Sequence, residues 1–109
     1  MRVTIGHRKK RHEAVQIVDQ SFDDLFRGLP IAPLQITDQH RSWNGSVMTF
    51  GMTATLAFLQ NPIRGTVEVT DREITIDADL GMIEKLISKE KFRTLAEGTF
   101  RRLLPGKIP

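Results

Sequence analysis

The sequence predicts an α+β domain in which one antiparallel five-stranded sheet carries two helices on one face. Three segments alternate apolar and polar residues, as strands with one buried face do. Two other segments repeat apolar residues every three or four positions, which is typical of amphipathic helices. The predicted order is strand, helix, four strands, helix. Placing both helices on the same side of the sheet buries all the apolar stripes together.

The clearest alternation follows Trp43 and defines the centre of the sheet. Apolar residues or glycine occupy every second position of three successive strands: Met48, Phe50, Met52, Ala54, Leu56 and Phe58, then Ile63, Gly65, Val67 and Val69, then Ile74, Ile76, Ala78 and Leu80. Threonine is common between them, which predicts an opposite face that water can cover. We expect Asn61-Pro62 to break the chain before the strand over residues 63–70, and Asp71-Arg72 to form a tight turn.

The other elements are predicted from shorter signals. Val3 and Ile5 alternate in a short first strand over residues 2–7. A helical period begins at Glu13, with apolar residues at Ala14, Val18, Phe22, Leu25 and Leu29, and Gly28, Pro30 and Pro33 end it. A short helical turn over residues 82–87 precedes a longer helix, which Ser88 caps and Pro105-Gly106 ends.

The register of the second strand depends on the turn that follows it. This strand runs over residues 34–43 into Asn44-Gly45, a strong hairpin signal. A two-residue turn pairing Trp43 with Ser46 would place the polar residues of this strand on the same face of the sheet as the apolar residues of the next strand. We therefore expect a three-residue loop with a bulge at Gly45, which brings Leu34 and Ile36 to the face of Met52, Ala54 and Leu56.

Length and composition limit the class of protein. The chain has 109 residues, which fits a single α+β domain over residues 1–109. It has no cysteine, which excludes disulfides and thiolate chemistry. No segment approaches the roughly 18 consecutive apolar residues of a membrane span, and no signal-peptide core begins the chain. We expect a cytoplasmic protein.

Four consecutive cations, Arg8, Lys9, Lys10 and Arg11, precede the first helix. Cations are disfavoured at a helix N-terminus, which hints at an anionic partner. The net charge is only +3, however, and carboxylates such as Asp71, Glu73 and Asp77 occur elsewhere. Nucleic-acid binding requires one coherent basic face. The mixture of signs therefore favours an ordinary solvated surface over nucleic-acid binding.

Residues with catalytic side chains lack workable spacing. Asp38, His40 and Ser42 imitate a hydrolase triad, but residues two apart on a strand are separated by roughly 6.5–7 Å, whereas a relay needs contacts of about 2.6–3.2 Å. His7 and His12 have no metal-ligand pattern around them. We expect neither an enzyme nor a cofactor or metal site.

Trp43, the only tryptophan, has two interpretations. It either covers one end of the core or is exposed as an anchor for an apolar partner. The second interpretation groups Trp43 with Phe58 and Leu59 as a partner-binding patch.

Several motifs in order along the chain resemble those of the polyhydroxyalkanoic acid system proteins, small bacterial proteins associated with polyester storage granules. They are His7 with Ala14 seven residues later, the turn Trp43-Asn44-Gly45-Ser46 with Phe50, the strand Ile63-Arg64-Gly65-Thr66-Val67-Glu68-Val69-Thr70, and Leu80-Gly81. Ser46 stands where that family often has an acidic residue. The segment 51–60 is longer and more apolar than the corresponding segment of the family. The resemblance implies a non-enzymatic cytoplasmic protein connected with polyhydroxyalkanoate metabolism or granules.

Three functions follow from these observations. The first is an accessory protein that binds the polyester granule surface or granule proteins through an apolar or amphipathic surface. The second is a carrier that holds a small acyl ligand between sheet and helices, and the third is a basic nucleic-acid module using residues 8–11. An edge strand such as residues 3–6 could also pair across a homodimer.

Overall fold

A computed structural model describes residues 1–101 and confirms the predicted element order. The strands are β1 (Arg2–Gly6), β2 (Leu34–Asn44), β3 (Val47–Leu56), β4 (Leu59–Val69) and β5 (Glu73–Asp79). The helices are α1 (Arg11–Arg27) and α2 (Lys89–Arg101), and a 3-10 helix over Gly81–Lys85 precedes α2. The strands form one antiparallel sheet in the order β1-β5-β4-β3-β2.

Both helices pack on the apolar face of this sheet, as the alternation predicts. Four phenylalanines join the layers: Phe22 lies 4.6 Å from Phe50 of β3 between ring centroids, and Phe26 of α1 lies 6.0 Å from Phe92 of α2. All four rings are buried. They occupy the space between sheet and helices at the centre of the domain.

The predicted facing of β2 is confirmed, but the predicted loop is wrong. Leu34 pairs with Leu56 and Ile36 with Ala54, as expected. The hairpin nevertheless closes with the two residues Gly45 and Ser46, and the bulge lies at residues 38–39 instead. Asp38 adopts a positive φ of 55° there. The register shift within β2, and not the turn, therefore brings Leu34 and Ile36 to the apolar face of the sheet.

The boundary between β3 and β4 also differs from the prediction. β3 ends at Leu56 and β4 begins at Leu59, so Phe58 lies in a two-residue turn and Asn61-Pro62 lies within β4. Pro62 pairs with Thr53 of β3, and β5 joins the other side of β4 only from Arg64 onward. Proline is tolerated where one side of a strand is unpaired. The Asn-Pro pair therefore does not break the strand.

The helix boundaries are close to the predicted ones. α1 begins at Arg11, two residues before the predicted start, and the Lys10 N–H donates to Glu13 Oε1 at 3.2 Å. Ser88 caps α2, because its Oγ accepts a hydrogen bond from the Lys91 N–H at 3.1 Å. The predicted stop at Pro105-Gly106 lies outside the described residues.

Candidate functional site

The sheet extends unevenly at one end. β5 pairs with β4 only as far as Arg64 opposite Asp79, whereas β4 begins five residues earlier and stays paired with β3 over that length. At about 3.3 Å per residue, the β3–β4 hairpin projects roughly 17 Å past the end of β5. The 3-10 helix follows β5 directly and packs beside this projection.

Exposed apolar side chains collect at this projection. Five large hydrophobic residues among residues 1–101 are exposed, and four of them are Phe58 at 90%, Leu59 at 47%, Met82 at 56% and Leu86 at 54%. The fifth, Val47, is 36% exposed and begins β3 at the opposite end of the sheet. We call the cluster of Leu56, Phe58, Leu59, Met82 and Leu86 the apolar end.

A groove of about 330 Å³ runs through the apolar end. Its walls come from the hairpin and from the 3-10 helix: Leu56, Leu59, Asn61, Met82, Ile83, Lys85 and Leu86. Lys85 is the one charged residue in this lining. The groove is therefore apolar with a single cation beside it.

The period of the 3-10 helix explains this lining. With three residues per turn, residues three apart lie on the same side. Met82 and Lys85 form one ridge, Ile83 and Leu86 form the next, and Glu84 lies on the third. Ile83 is buried and anchors the helix, while Glu84 Oε1 lies 3.6 Å from the Met1 amino group. The carboxylate of this helix is thus turned away from the groove.

Asn61 fixes the two walls of the groove to each other. Its side-chain Nδ2 donates to the Leu80 carbonyl at 2.8 Å, and its Oδ1 accepts from the Met82 N–H at 3.0 Å. Asn61 is itself buried. The amide therefore replaces the strand partner that β4 lacks beyond the end of β5.

A second depression, of about 480 Å³, lies between the end of α1 and α2. It is lined by Gly28, Pro30, Glu90, Lys91, Thr94 and Leu95. Two oppositely charged residues and a threonine contribute to its walls. The groove in the apolar end is smaller than this depression. Of the two, however, only the groove is lined by exposed large hydrophobic residues.

Trp43 lies in a different part of the molecule from Phe58 and Leu59, so the predicted three-residue patch is wrong. Trp43 pairs with Met48 at the start of β3, and Leu59 pairs with Leu56 at its end. Eight residues of strand separate these two β3 partners, which is roughly 26 Å. Alternation predicts the face on which a residue lies, but it does not predict how far apart two residues on that face are along the strands.

Trp43 instead belongs to a polar cluster that ties β2 to α1. It is half-buried, and its Nε1–H donates to Asp19 Oδ1 at 2.9 Å. Arg41 donates to Asp19 Oδ1 at 3.0 Å and to Asp23 Oδ1 at 2.9 Å. The Trp43 hydrogen bond, with Arg41, lowers the pKa of Asp19 despite its partial burial. These contacts agree with the interpretation of Trp43 as a cover for the core.

The four cations lie at the end of the sheet opposite the apolar end: Arg8, Lys9 and Lys10 are in the connection from β1 to α1, and Arg11 is the first residue of α1. Arg11 Nε lies 3.6 Å from Asp71 Oδ1, and the backbone N–H of Lys9 donates to His7 Nδ1 at 3.1 Å. Arg8 and Lys10 are exposed. Carboxylates such as Asp71 and Glu13 are interspersed with these cations, which agrees with a mixed solvated surface.

The residues that imitate a triad form no relay. The His40 ring is hydrogen-bonded through Nδ1 to the backbone carbonyl of Asp38, at 3.3 Å, and not to its carboxylate. No group of three histidine, aspartate or glutamate residues within residues 1–101 could hold a metal ion. None of the helices in this part of the chain is long and apolar enough to cross a membrane.

Comparison of the chain with protein-family models, with curated proteins and with solved structures gives no match. The family resemblance therefore stays a prediction from the motifs. Sequence reasoning found Phe58 and Leu59 but missed their partners Met82 and Leu86, because a helical period predicts burial for both. Met82 and Lys85, and likewise Ile83 and Leu86, are three residues apart, which also fits two neighbouring ridges of a 3-10 helix. This spacing was the sequence signal that could have identified them.

Proposed function

We propose that this protein is a non-enzymatic binding protein that attaches to an apolar surface through the apolar end. The observation that carries the proposal is that four of the five exposed large hydrophobic residues lie together there. Exposed apolar clusters in soluble proteins commonly mark interaction sites. The family resemblance supports the polyester granule as the apolar surface and a role in polyhydroxyalkanoate metabolism.

The shape of the apolar end suits insertion into a surface. Phe58 stands at the tip of the β3–β4 turn, and the backbone at Ala57 turns with a positive φ of 58°. A side chain at such a tip enters an apolar layer without displacing the strands behind it. Leu59 and the 3-10 helix with Met82 and Leu86 widen the contact behind the tip.

The available free energy is adequate for reversible attachment. Fully burying a side chain such as Phe, Leu or Met contributes about 1.5–3 kcal/mol. Scaled by the exposed fractions of the four residues, the gross contribution is roughly 4–7 kcal/mol. That corresponds to millimolar to micromolar affinity before ordering costs. Attachment should therefore depend strongly on single side chains.

Co-sedimentation with purified amorphous polyester granules tests this proposal. We expect Phe58→Ser to weaken the affinity for granules about tenfold or more, because it removes roughly 1.4–2.7 kcal/mol of burial at the 90% exposed fraction of Phe58. Leu59→Ser should add a smaller loss. Val47→Ser is the matched control, because Val47 is an exposed apolar residue on the same sheet but at its other end.

Equal losses for Phe58→Ser and Val47→Ser would show that binding is unspecific and would overturn the assignment of the site. Failure of the unaltered protein to sediment with granules would overturn the proposal itself. Circular dichroism of each variant establishes that the fold is retained, which is expected because all three side chains are exposed.

A further inference from the structure

We propose that the groove in the apolar end binds the acyl chain of a medium-chain monocarboxylate, with the carboxylate at Lys85. This inference rests on the proposed function, because it assigns a ligand class to the same surface. The groove would then take individual acyl chains at the apolar surface to which Phe58 attaches the protein.

The walls of the groove suit a flexible hydrocarbon chain. Leu56 and Leu59 line one side and Met82 and Leu86 the other, and all four are at least partly exposed. Methionine adapts readily to ligands of irregular shape. The volume of about 330 Å³ is at the small end of the range for ligand sites, which favours a short amphiphile over a long-chain lipid.

The polar groups of the groove are those expected for an anionic head group. The Asn61 amide is occupied by Leu80 and Met82, so it does not present an unsatisfied group to the chain. Lys85 forms no salt bridge with any residue in the described range 1–101, and no carboxylate contributes to the lining. A carboxylate beside Lys85 would therefore meet an uncompensated cation.

This charge pattern distinguishes an anionic amphiphile from two other occupants. A neutral ligand would form no ion pair with Lys85. A second copy of the protein would bring another Lys85 to the same region if the two grooves faced each other about a twofold axis, and like charges would then repel. A monocarboxylate satisfies both the apolar walls and the cation.

Methionine methyl NMR gives a direct test, because the chain has four methionines in distinct settings. Met82 lines the groove, whereas Met48 and Met52 are buried in the core. In protein labelled at the methionine methyl carbons, octanoate below its micellar concentration should shift the Met82 signal in a saturable manner. The signals of Met48 and Met52 should stay in place.

The role of Lys85 is tested by comparing octanoate with octanol in two variants. We expect Lys85→Gln to weaken octanoate binding by up to about fivefold, the upper limit for an exposed charge pair, and to have a smaller effect on octanol binding. Lys89→Gln is the matched control, because Lys89 is an exposed cation at the start of α2 that does not line the groove. It should leave octanoate binding unchanged.

Each contrary outcome overturns the inference. If the shift of the Met82 signal does not reach a plateau with increasing octanoate, the groove is not a binding site for it. Equal effects of Lys85→Gln and Lys89→Gln remove the assigned head group, and a Met82 signal that changes only with protein concentration identifies a second copy as the occupant. Granule binding that persists when octanoate fails to shift Met82 would refute this inference while leaving the proposed function intact.

Discussion

Replacing Asn61 with alanine should destabilise the protein and release one wall of the groove. The substitution removes the hydrogen bonds to the Leu80 carbonyl and from the Met82 N–H. The first is buried, so losing its partner costs about 1–3 kcal/mol. The second is partly accessible, so water can replace it and the loss is about 0.5–1.5 kcal/mol. We expect the free energy of unfolding to fall by about 2–4 kcal/mol.

Urea denaturation of the wild type, Asn61→Ala and Gln60→Ala measures this difference. Gln60 precedes Asn61 in β4 but is exposed, so its replacement should change the free energy of unfolding by less than about 0.5 kcal/mol. The Met82 methyl signal should shift in Asn61→Ala, because the 3-10 helix loses its connection to β4. An Asn61→Ala variant as stable as Gln60→Ala, with an unchanged Met82 signal, would refute the idea that the amide holds the two walls together.

Two further predictions concern the sheet and the polar cluster. Gly65→Ala should lower the free energy of unfolding by about 2 kcal/mol or more in urea denaturation, because the added methyl group would meet the backbone of Asp77 and of Ala78. Gly51→Ala should stay within about 1 kcal/mol, because the nearest atoms to its added methyl group belong to the movable ring of His40. Similar costs for both variants would contradict this reasoning. The lowered pKa of Asp19 contributes stability that is present above its unfolded value near 4 and is lost as pH falls through its folded value. The stability difference between wild type and Asp19→Asn should therefore shrink between pH 7 and pH 3 in urea titrations, and a difference independent of pH would refute the contribution of this charge.

From the sequence we could predict which face of the sheet each strand residue occupies. We could not predict which residues of neighbouring strands lie side by side. Alternation correctly places Met52 and Ala54 on the helix side, because a period of two fixes a face. It does not say which residues lie at the same height. The positive φ of Asp38, which shifts the register of β2, has no strong sequence signal, since aspartate adopts that conformation only occasionally. The separation of Trp43 from Phe58 depends on the pairing along β3.

Asn61 shows why the candidate site was harder to predict than the fold. Asparagine before proline indicates a turn, and from sequence alone that indication outweighs the apolar residues on either side. In the structure the amide bonds to Leu80 and Met82, residues about twenty positions later in the chain. Local propensity contains no information about such a partner. This contact joins the 3-10 helix to the hairpin, and the two elements together form the walls of the groove.

The unequal lengths of β4 and β5 connect the fold to the proposed function. An apolar residue in a strand is buried only if another layer covers it, and the helices cover the sheet where all strands are present. Beyond the end of β5, Leu59 keeps the strand spacing but remains nearly half exposed. The cations of residues 8–11 lie at the other end, so the apolar end can enter a surface while the charged end remains in water. A longer cover over the β3–β4 hairpin would bury more apolar surface, but it would also remove the surface through which we propose that the protein attaches.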